Sequence, residues 1–197
     1  MKMFIKALCC SLVLTVLFSM LPFEASCQEI KDDVFRLHIL ANSDSDEDQS
    51  LKLKVRDEIL GFTESLYKNS GSKEEALRLT KDNLQAIANR AKQVICDSGY
   101  NYSVTAEISQ EYFDTRTYEN VTMPSGTYQA LRIIIGEGKG HNWWCVMYPS
   151  LCVGASTDYE ALEKNMNDSE IQLLTKEKCT YKFKIVEYFE RFKSFFE

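Results

Sequence analysis

Cys145 is the residue of this chain that most readily suggests covalent chemistry, because a thiolate is a strong nucleophile once a nearby base has deprotonated it. His141 or His38 is the candidate base, and Asp44 is the candidate carboxylate that would orient the imidazole. The spacing counts against the first pair, because four residues of extended chain separate two side chains by roughly 13 Å. Nothing before Cys145 predicts the helix N-terminus that often activates such a thiol. A cysteine-dependent enzyme is therefore kept as an alternative hypothesis.

Alternating acidic residues raise a second kind of chemistry, a calcium site. Asp44, Asp46 and Asp48 are spaced like the first ligands of a calcium-binding loop. Such a loop also needs glycine at its sixth position and glutamate at its twelfth. Counted from Asp44, those positions hold Gln49 and Val55, so the pattern fails. The carboxylates are better explained as the first turn of a helix, and the sequence predicts neither a metal site nor a cofactor.

The cysteines also permit a structural role. An exported domain that begins after residue 27 keeps four cysteines, which allow three pairings. Cys145 and Cys152 are the favoured pair, because Pro149 lies between them and can turn the chain back. Free buried thiols, which pack as small apolar side chains, are the alternative.

Aromatic and charged residues near these cysteines are candidates for binding. Adjacent residues of a strand face opposite sides, so one of Trp143 and Trp144 is expected to enter the core. The other ring is a candidate binding anchor, a role that tryptophan fills in many interfaces. Arg56 and Asp57 form either a local ion pair on a solvated helix or a part of the same contact surface.

The N-terminus has the layout of a secretory signal peptide. Two lysines precede an apolar run over residues 7–21, and Ala25-Ser26-Cys27 supplies small residues for cleavage. We expect residues 1–27 to be removed and residues 28–197 to form a single exported domain. A membrane anchor retained through residues 7–21 is the alternative. The net charge of −6, without a basic patch, argues against nucleic-acid binding.

Hydrophobic periodicity predicts the elements that position these residues. Alternating apolar side chains predict a first strand over residues 34–40. Two amphipathic helices follow, one from about residue 46 to residues 67–69 and one from a capping box at Ser72 to Gly99. Further strands are predicted over residues 102–108, 127–135 and 143–148, with residues 112–123 forming another strand or an extended loop. This order predicts an α+β fold in which two N-terminal amphipathic helices pack on a mainly antiparallel β-sheet.

The C-terminal segment is predicted to carry two more elements. A short helix is expected over residues 159–174. Residues 181–185 alternate as in a strand, and residues 185–196 carry an aromatic stripe at helical spacing. That stripe can pack in the core or lie on a membrane surface, so a peripheral membrane contact is an open alternative.

Three long segments also carry a recognisable pattern. The first runs from Phe35 to Asp57, the second from Pro124 to Arg132, and the third from Gly138 to Cys152. The third begins Gly138-Lys139-Gly140-His141-Asn142-Trp143-Trp144-Cys145. In this order, within residues 34–153, the segments closely resemble the stage II sporulation protein R family. Residues 154–197 carry no matching motif.

The resemblance implies a signalling protein of endospore-forming bacteria. Such proteins are exported from the forespore into the intermembrane space, where they activate a membrane-embedded aspartic protease of the mother cell, stage II sporulation protein GA. That protease then cleaves the precursor of sigma factor E. We therefore expect a ligand of the protease's extracytoplasmic side, with no catalytic residues of its own.

The candidate contact residues are those in the matched segments that core packing does not explain. They are Arg36, His38, Asn42, Asp44, Arg56, Asp57, His141, Asn142, Trp143 and Trp144. A ligand activates a receptor only by binding the active state more tightly, so these residues are expected to complement that state. The alternative from another class is an exported hydrolase or transferase that uses Cys145 with His141 or His38.

Overall fold

The computed structural model describes residues 2–118, 121–150, 152–153, 156–157, 166–175, 183–184 and 187 of the 197-residue chain. Helix α1 (Lys2–Asp33) leads into strand β1 (Phe35–Leu40), which is followed by helices α2 (Asp46–Tyr67), α3 (Lys73–Asp82) and α4 (Leu84–Asp97). The strands that follow are β2 (Val104–Phe113), β3 (Arg116–Tyr118), β4 (Val121–Met123), β5 (Gly126–Ile135), β6 (Asn142–Tyr148), β7 (Cys152–Val153) and β8 (Ser156–Thr157). Helix α5 (Asp168–Thr175) comes after them.

Four strands form the main sheet in the order β2-β5-β1-β6. β2 is antiparallel to β5 and β6 is antiparallel to β1, whereas β1 and β5 are parallel. The predicted α+β fold with a mainly antiparallel sheet is therefore confirmed. The parallel pair was not predicted. Parallel strands need a long crossover connection, and the segment between β1 and β5, which contains α2 to α4, provides one.

The pleat of β1 divides the sheet into two different faces. Phe35, Leu37 and Ile39 are fully buried on the face that packs against helices α2 to α4. The apolar stripe of α2 meets them there, with Val55 and Ile59 fully buried. Arg36 and His38 alternate with these residues and so lie on the opposite face of the sheet.

Helix α2 begins where the sequence predicts, but the second predicted helix is wrong in one respect. The Ser45 side chain caps α2 by accepting the backbone N–H of Asp48, 3.2 Å away. The expected single helix from Ser72 to Gly99 is broken at Asn83, whose amide donates to the Leu79 carbonyl. Asparagine inside a helical pattern is only mildly unfavourable, so the pattern alone did not reveal the break.

Helix α1 continues through the predicted boundary at residue 27. Phe23 and Cys27 are buried with Phe183, and Ile30 and Val34 enter a second apolar cluster on the Arg36 face of the sheet. Phe23, Cys27, Ile30 and Val34 are spaced by four, three and four residues and so form one amphipathic stripe. The signal-peptide interpretation overlooked this stripe. No helix in the described part of the chain combines the length and apolar character that a membrane crossing requires. Cleavage near residue 27 stays a prediction.

The C-terminal predictions are tested only where residues are described. Helix α5 matches the end of the helix expected over 159–174, but residues 166–167 are not helical, so the expectation is wrong there. Residues 158–165 lie outside the described residues. Phe183 and Lys184 are helical, so the expected strand is wrong at these two positions. Most of the aromatic stripe over 185–196, and with it the membrane contact, also lies outside the described residues. Within 112–123 the chain ends β2 and then forms the β3–β4 hairpin.

Candidate functional site

The start of β6 presents two tryptophans on opposite faces of the sheet, as the alternation predicts. Trp143 packs against the main core on the helix face, and Trp144 lies on the other face over His38. Neither ring is fully buried, so the expectation that one of the two rings is buried in the core is met only in part. Each face of the sheet therefore has its own half-exposed aromatic group at this end.

Arg56 covers the Trp143 ring. Its guanidinium carbon lies 4.4 Å from the ring centroid, and its Nη2 lies 2.6 Å from Asp57 Oδ1. A guanidinium over an indole face is stabilised by the ring's electron density. The indole Nε1–H of Trp143 is buried and finds no acceptor in the described part of the chain. Trp143, Arg56 and Asp57 thus form a compact group in which only Asp57 is well exposed.

Asn42 ties the loop after β1 to the loop before β6. Its amide nitrogen donates to Asp48 Oδ2 at 2.8 Å, and its amide oxygen accepts the backbone N–H of Glu137 at 3.0 Å. Burial opposes ionisation of Asp48, but hydrogen bonds from Ser43 and Asn42 outweigh it and hold the pKa of this carboxyl below its ordinary value. Asn42 therefore has a structural role that the sequence did not predict.

Asp44 and His141 form an exposed pair beside this junction. Asp44 Oδ1 accepts the backbone N–H of His141 and also contacts the ring nitrogen Nδ1. The backbone bond and then the ring bond hold the pKa of Asp44 below its ordinary value. The buried Lys52 donates to the His141 carbonyl at 2.8 Å, which anchors the same loop to α2.

Gly140 allows the two loops to approach each other. Its backbone N–H donates to the Ala41 carbonyl at 3.0 Å. A Cβ atom at this position would overlap the backbone carbonyl of Ser43. Glycine is needed here because of this close approach, not because of an unusual backbone angle.

Arg36 is fully buried on the second face of the sheet. Its guanidinium carbon lies 3.9 Å from the Phe113 ring centroid, 4.9 Å from that of Tyr128 and 5.9 Å from that of Tyr118. Nε donates to the Cys145 carbonyl at 3.4 Å and Nη2 donates to the Tyr118 hydroxyl at 2.5 Å. Arg36 is therefore not itself part of an exposed surface.

His38 is buried next to Arg36 and belongs to a polar network on the same face. Its ring is stacked on Trp144 with 3.8 Å between the centroids, and Nδ1 lies 3.5 Å from Glu111 Oε2. Arg132 continues the network, with Nε 3.7 Å from Glu111 and Nη1 3.2 Å from Glu107. Burial lowers the pKa of His38 below its ordinary value, so the neutral ring is favoured in the fold.

The described residues do not assemble the dyad that a cysteine-dependent enzyme needs. Cys145 is buried and disulfide-bonded, so its sulfur is not a free thiol. Leu37 is its partner in the register with β1, which puts Cys145 on the helix face and His38 on the other. His141 is exposed and paired with Asp44. The disulfide partner lies outside the described side chains, so pairing with Cys152 stays a prediction.

A groove of about 620 Å³ opens beside Trp144. Residues 114–118, which include β3, form one wall, and Asn142, Trp143 and Trp144 form the other. Sequence reasoning missed the residues that link this groove to Arg36, namely Tyr118 and Phe113. The sequence signal for these two residues was their aromatic character alone, since residues 112–123 were predicted as either a strand or an extended loop.

The fold and the site together define a small α+β protein in which an arginine contacts aromatic rings on each face of its main sheet. The model of the family described as stage II sporulation protein R matches residues 31–158, and the chain belongs to this family. It is 40% identical over 141 residues to stage II sporulation protein R of Bacillus subtilis strain 168, a match that covers 72% of this chain. The match spans 62% of that relative, less than two thirds of its length. No solved structure matches the chain.

Proposed function

We propose that this sporulation protein is an exported signal that activates the membrane-embedded aspartic protease stage II sporulation protein GA. It acts in the intermembrane space, after export from the forespore, by contacting the extracytoplasmic side of the protease. Activation leads to cleavage of the sigma factor E precursor. Family membership supports the sporulation role, and the signal-like N-terminus supports the export step.

The observation that carries the proposal is the convergence of two matched segments on one patch, in which four residues are exposed and Arg56 and Trp143 are partly buried. We call this patch the Trp143 surface; it consists of Asp44, Arg56, Asp57, His141, Asn142 and Trp143. It combines residues of the first and third matched segments, which meet where Arg56 of α2 covers Trp143 and where Asp44 binds His141. Tryptophan and arginine are the residue types that most often dominate binding energy at protein interfaces.

The chemistry of the site favours a ligand over an enzyme. The sulfur of Cys145 is in a disulfide, His38 lies on the other face of the sheet, and His141 is exposed and paired with Asp44. A nucleophile needs a free thiolate within reach of a base, which this arrangement does not provide. The groups that remain exposed are aromatic rings, ion pairs and amides, which are suited to recognition.

The test is receptor-dependent cleavage of the sigma factor E precursor. Membranes that contain the protease and its substrate are incubated with the full-length protein, and the initial cleavage rate is measured at limiting protein concentration. Arg56→Ala is expected to lower the apparent affinity about tenfold or more, because it removes a central arginine and uncovers Trp143.

Arg90→Ala is a matched control. The Arg90 guanidinium also covers a ring, with 4.3 Å to the Phe62 centroid, and is also paired with a carboxylate, 2.7 Å from Glu58. This variant loses the same kind of local contacts away from the Trp143 surface and is expected to stay within twofold of wild type. Equal effects of the two variants, with both folded, would remove the Trp143 surface from the proposal. A wild-type protein that triggers no cleavage would refute the proposed function itself.

A further inference from the structure

Arg36 is a buried cation without a counter-ion in the described part of the chain. Its side chain is fully buried, Nε and Nη2 donate to a carbonyl and a hydroxyl, and Nη1 has no hydrogen-bond partner among the described residues. The aromatic rings around it compensate in part through cation–π attraction. Even so, a buried charge is costly unless an opposite charge pairs with it. Among the described residues, no opposite charge compensates the guanidinium.

Tyr118 connects this charge to the groove beside Trp144. Arg36 Nη2 donates to the Tyr118 hydroxyl, and that hydroxyl donates to the backbone carbonyl of Trp144 at 3.2 Å. Tyr118 and Trp144 both line the groove. The guanidinium is therefore only one hydroxyl group away from a solvent-accessible space.

The shape and charge of the groove suit an extended, acidic chain. β6 is the last strand in the order of the main sheet and β3 belongs to a separate two-stranded sheet, and the described lining of the groove comes from these two strands and residues 114–115. Arg116 stands at its rim, with the guanidinium carbon 5.7 Å from the Trp144 ring centroid. Among the described lining residues, Arg116 carries a positive charge and Asp114 a negative one. Arg36 adds a buried positive charge next to Tyr118, so the Tyr118 end of the groove is the part that suits an acidic side chain.

We infer that this groove binds an extended segment of a polypeptide partner through one acidic side chain. The carboxylate accepts the Tyr118 O–H, which turns away from the weak 3.2 Å bond to the Trp144 carbonyl. Arg36 acts through Tyr118 as a positioning residue and supplies the compensating charge. The inference goes beyond the proposed function and does not depend on the protease as the partner. The peptide test below can therefore fail while protease activation is confirmed, and it can succeed while protease activation fails.

The test uses two blocked heptapeptides, acetyl-Thr-Val-Thr-Glu-Thr-Val-Thr-amide and the same peptide with glutamine at the centre. Each is titrated into full-length ¹⁵N-labelled protein while the indole N–H signals of Trp143 and Trp144 are followed by NMR. The glutamate peptide is expected to shift the Trp144 signal with half-saturation at a concentration at least tenfold lower than the glutamine peptide.

Variants separate the charge from the packing. Arg36→Gln is expected to abolish the preference for glutamate, and Tyr118→Phe, which keeps the ring and removes only the hydroxyl, is expected to reduce it at least fivefold. Arg90→Gln, remote from the groove, should keep the wild-type preference.

Three results would overturn the inference. The first is no difference between the two peptides, including no binding by either. The second is a Tyr118→Phe protein that keeps the full preference for glutamate. This result tests the inference even if Arg36→Gln fails to fold. The third is acetate producing the same shift at the same concentration as the glutamate peptide, which would make the groove a small-anion site.

Discussion

Replacement of Asn42 by alanine should reveal whether this residue serves the fold or a partner. The change removes the amide that donates to Asp48 at 2.8 Å and the oxygen that accepts the Glu137 N–H at 3.0 Å. Both bonds join segments that are distant in the sequence, because Glu137 lies in the loop between β5 and β6. The side chain is partly buried, so water can replace these bonds only in part.

The expected loss follows from the two bonds. A hydrogen bond to a charged group such as Asp48 contributes about 1.5–3 kcal/mol, and a neutral bond contributes about 0.5–1.5 kcal/mol. Water can solvate the exposed Glu137 N–H after the change, so the loss of this neutral hydrogen bond costs about 0.5 kcal/mol, the lower end of its range. Asn42→Ala should therefore lower the free energy of unfolding by about 2–3.5 kcal/mol. Asn42→Asp should lose at least as much at pH 7, because it places a second carboxylate against Asp48.

Urea unfolding of the full-length chain, followed by circular dichroism, measures these differences. Asn89→Ala is the control, since exposed Asn89 accepts a hydrogen bond from exposed Gln85 on the same helix. It should change stability by no more than about 0.5 kcal/mol. If Asn42→Ala also costs less than about 0.5 kcal/mol, the reasoning is refuted, and Asn42 is better understood as a contact residue.

Three further predictions concern other parts of the site. Gly140→Ala should destabilise the fold by about 1–3 kcal/mol in the same urea assay, because its Cβ overlaps the Ser43 carbonyl; an unchanged midpoint would mean that the loops do not touch. Burial puts the pKa of His38 in the folded state below its value of about 6.5 in the unfolded state. The stability that neutral His38 contributes is therefore complete above about pH 6.5 and is lost as the pH falls through the folded-state pKa. His38→Gln should therefore flatten the decline of stability as the pH falls below about 6.5, and an equally steep decline would contradict this. Cys145 should resist alkylation in denaturant until a reductant is added, and peptide mapping should then test Cys152 as its partner; labelling without reductant would rule out the disulfide.

Local sequence signals predicted the elements well where the decisive contacts are local. The Ser45 cap, the acidic first turn of α2 and its apolar stripe all depend on residues within a few positions of one another. The same is true of Gly99, whose φ of +86° ends α4. Such signals predicted the fold class and the position of the strand that carries both tryptophans.

Other features were missed because their causes are distant or weak in the sequence. The break at Asn83 has only a small propensity signal, and the stripe at the end of α1 was hidden by the apolar run before it. The parallel pairing of β1 with β5 depends on which strands meet after the helices have packed. No single segment contains that information.

The sequence by itself determined the family, the alternation that separates Arg36 and His38 from the core-facing residues of β1, and the opposite directions of Trp143 and Trp144. These follow from motif order and from a side-chain period of two residues, both of which can be read along one segment. Only the tertiary structure decided what those side chains meet. Arg36 is enclosed by Phe113, Tyr118 and Tyr128, because the end of β2, the β3–β4 hairpin and β5 bring these rings onto its face of the sheet. Burial, charge pairing and grooves depend on contacts between distant segments, and such contacts exist only after the chain has folded.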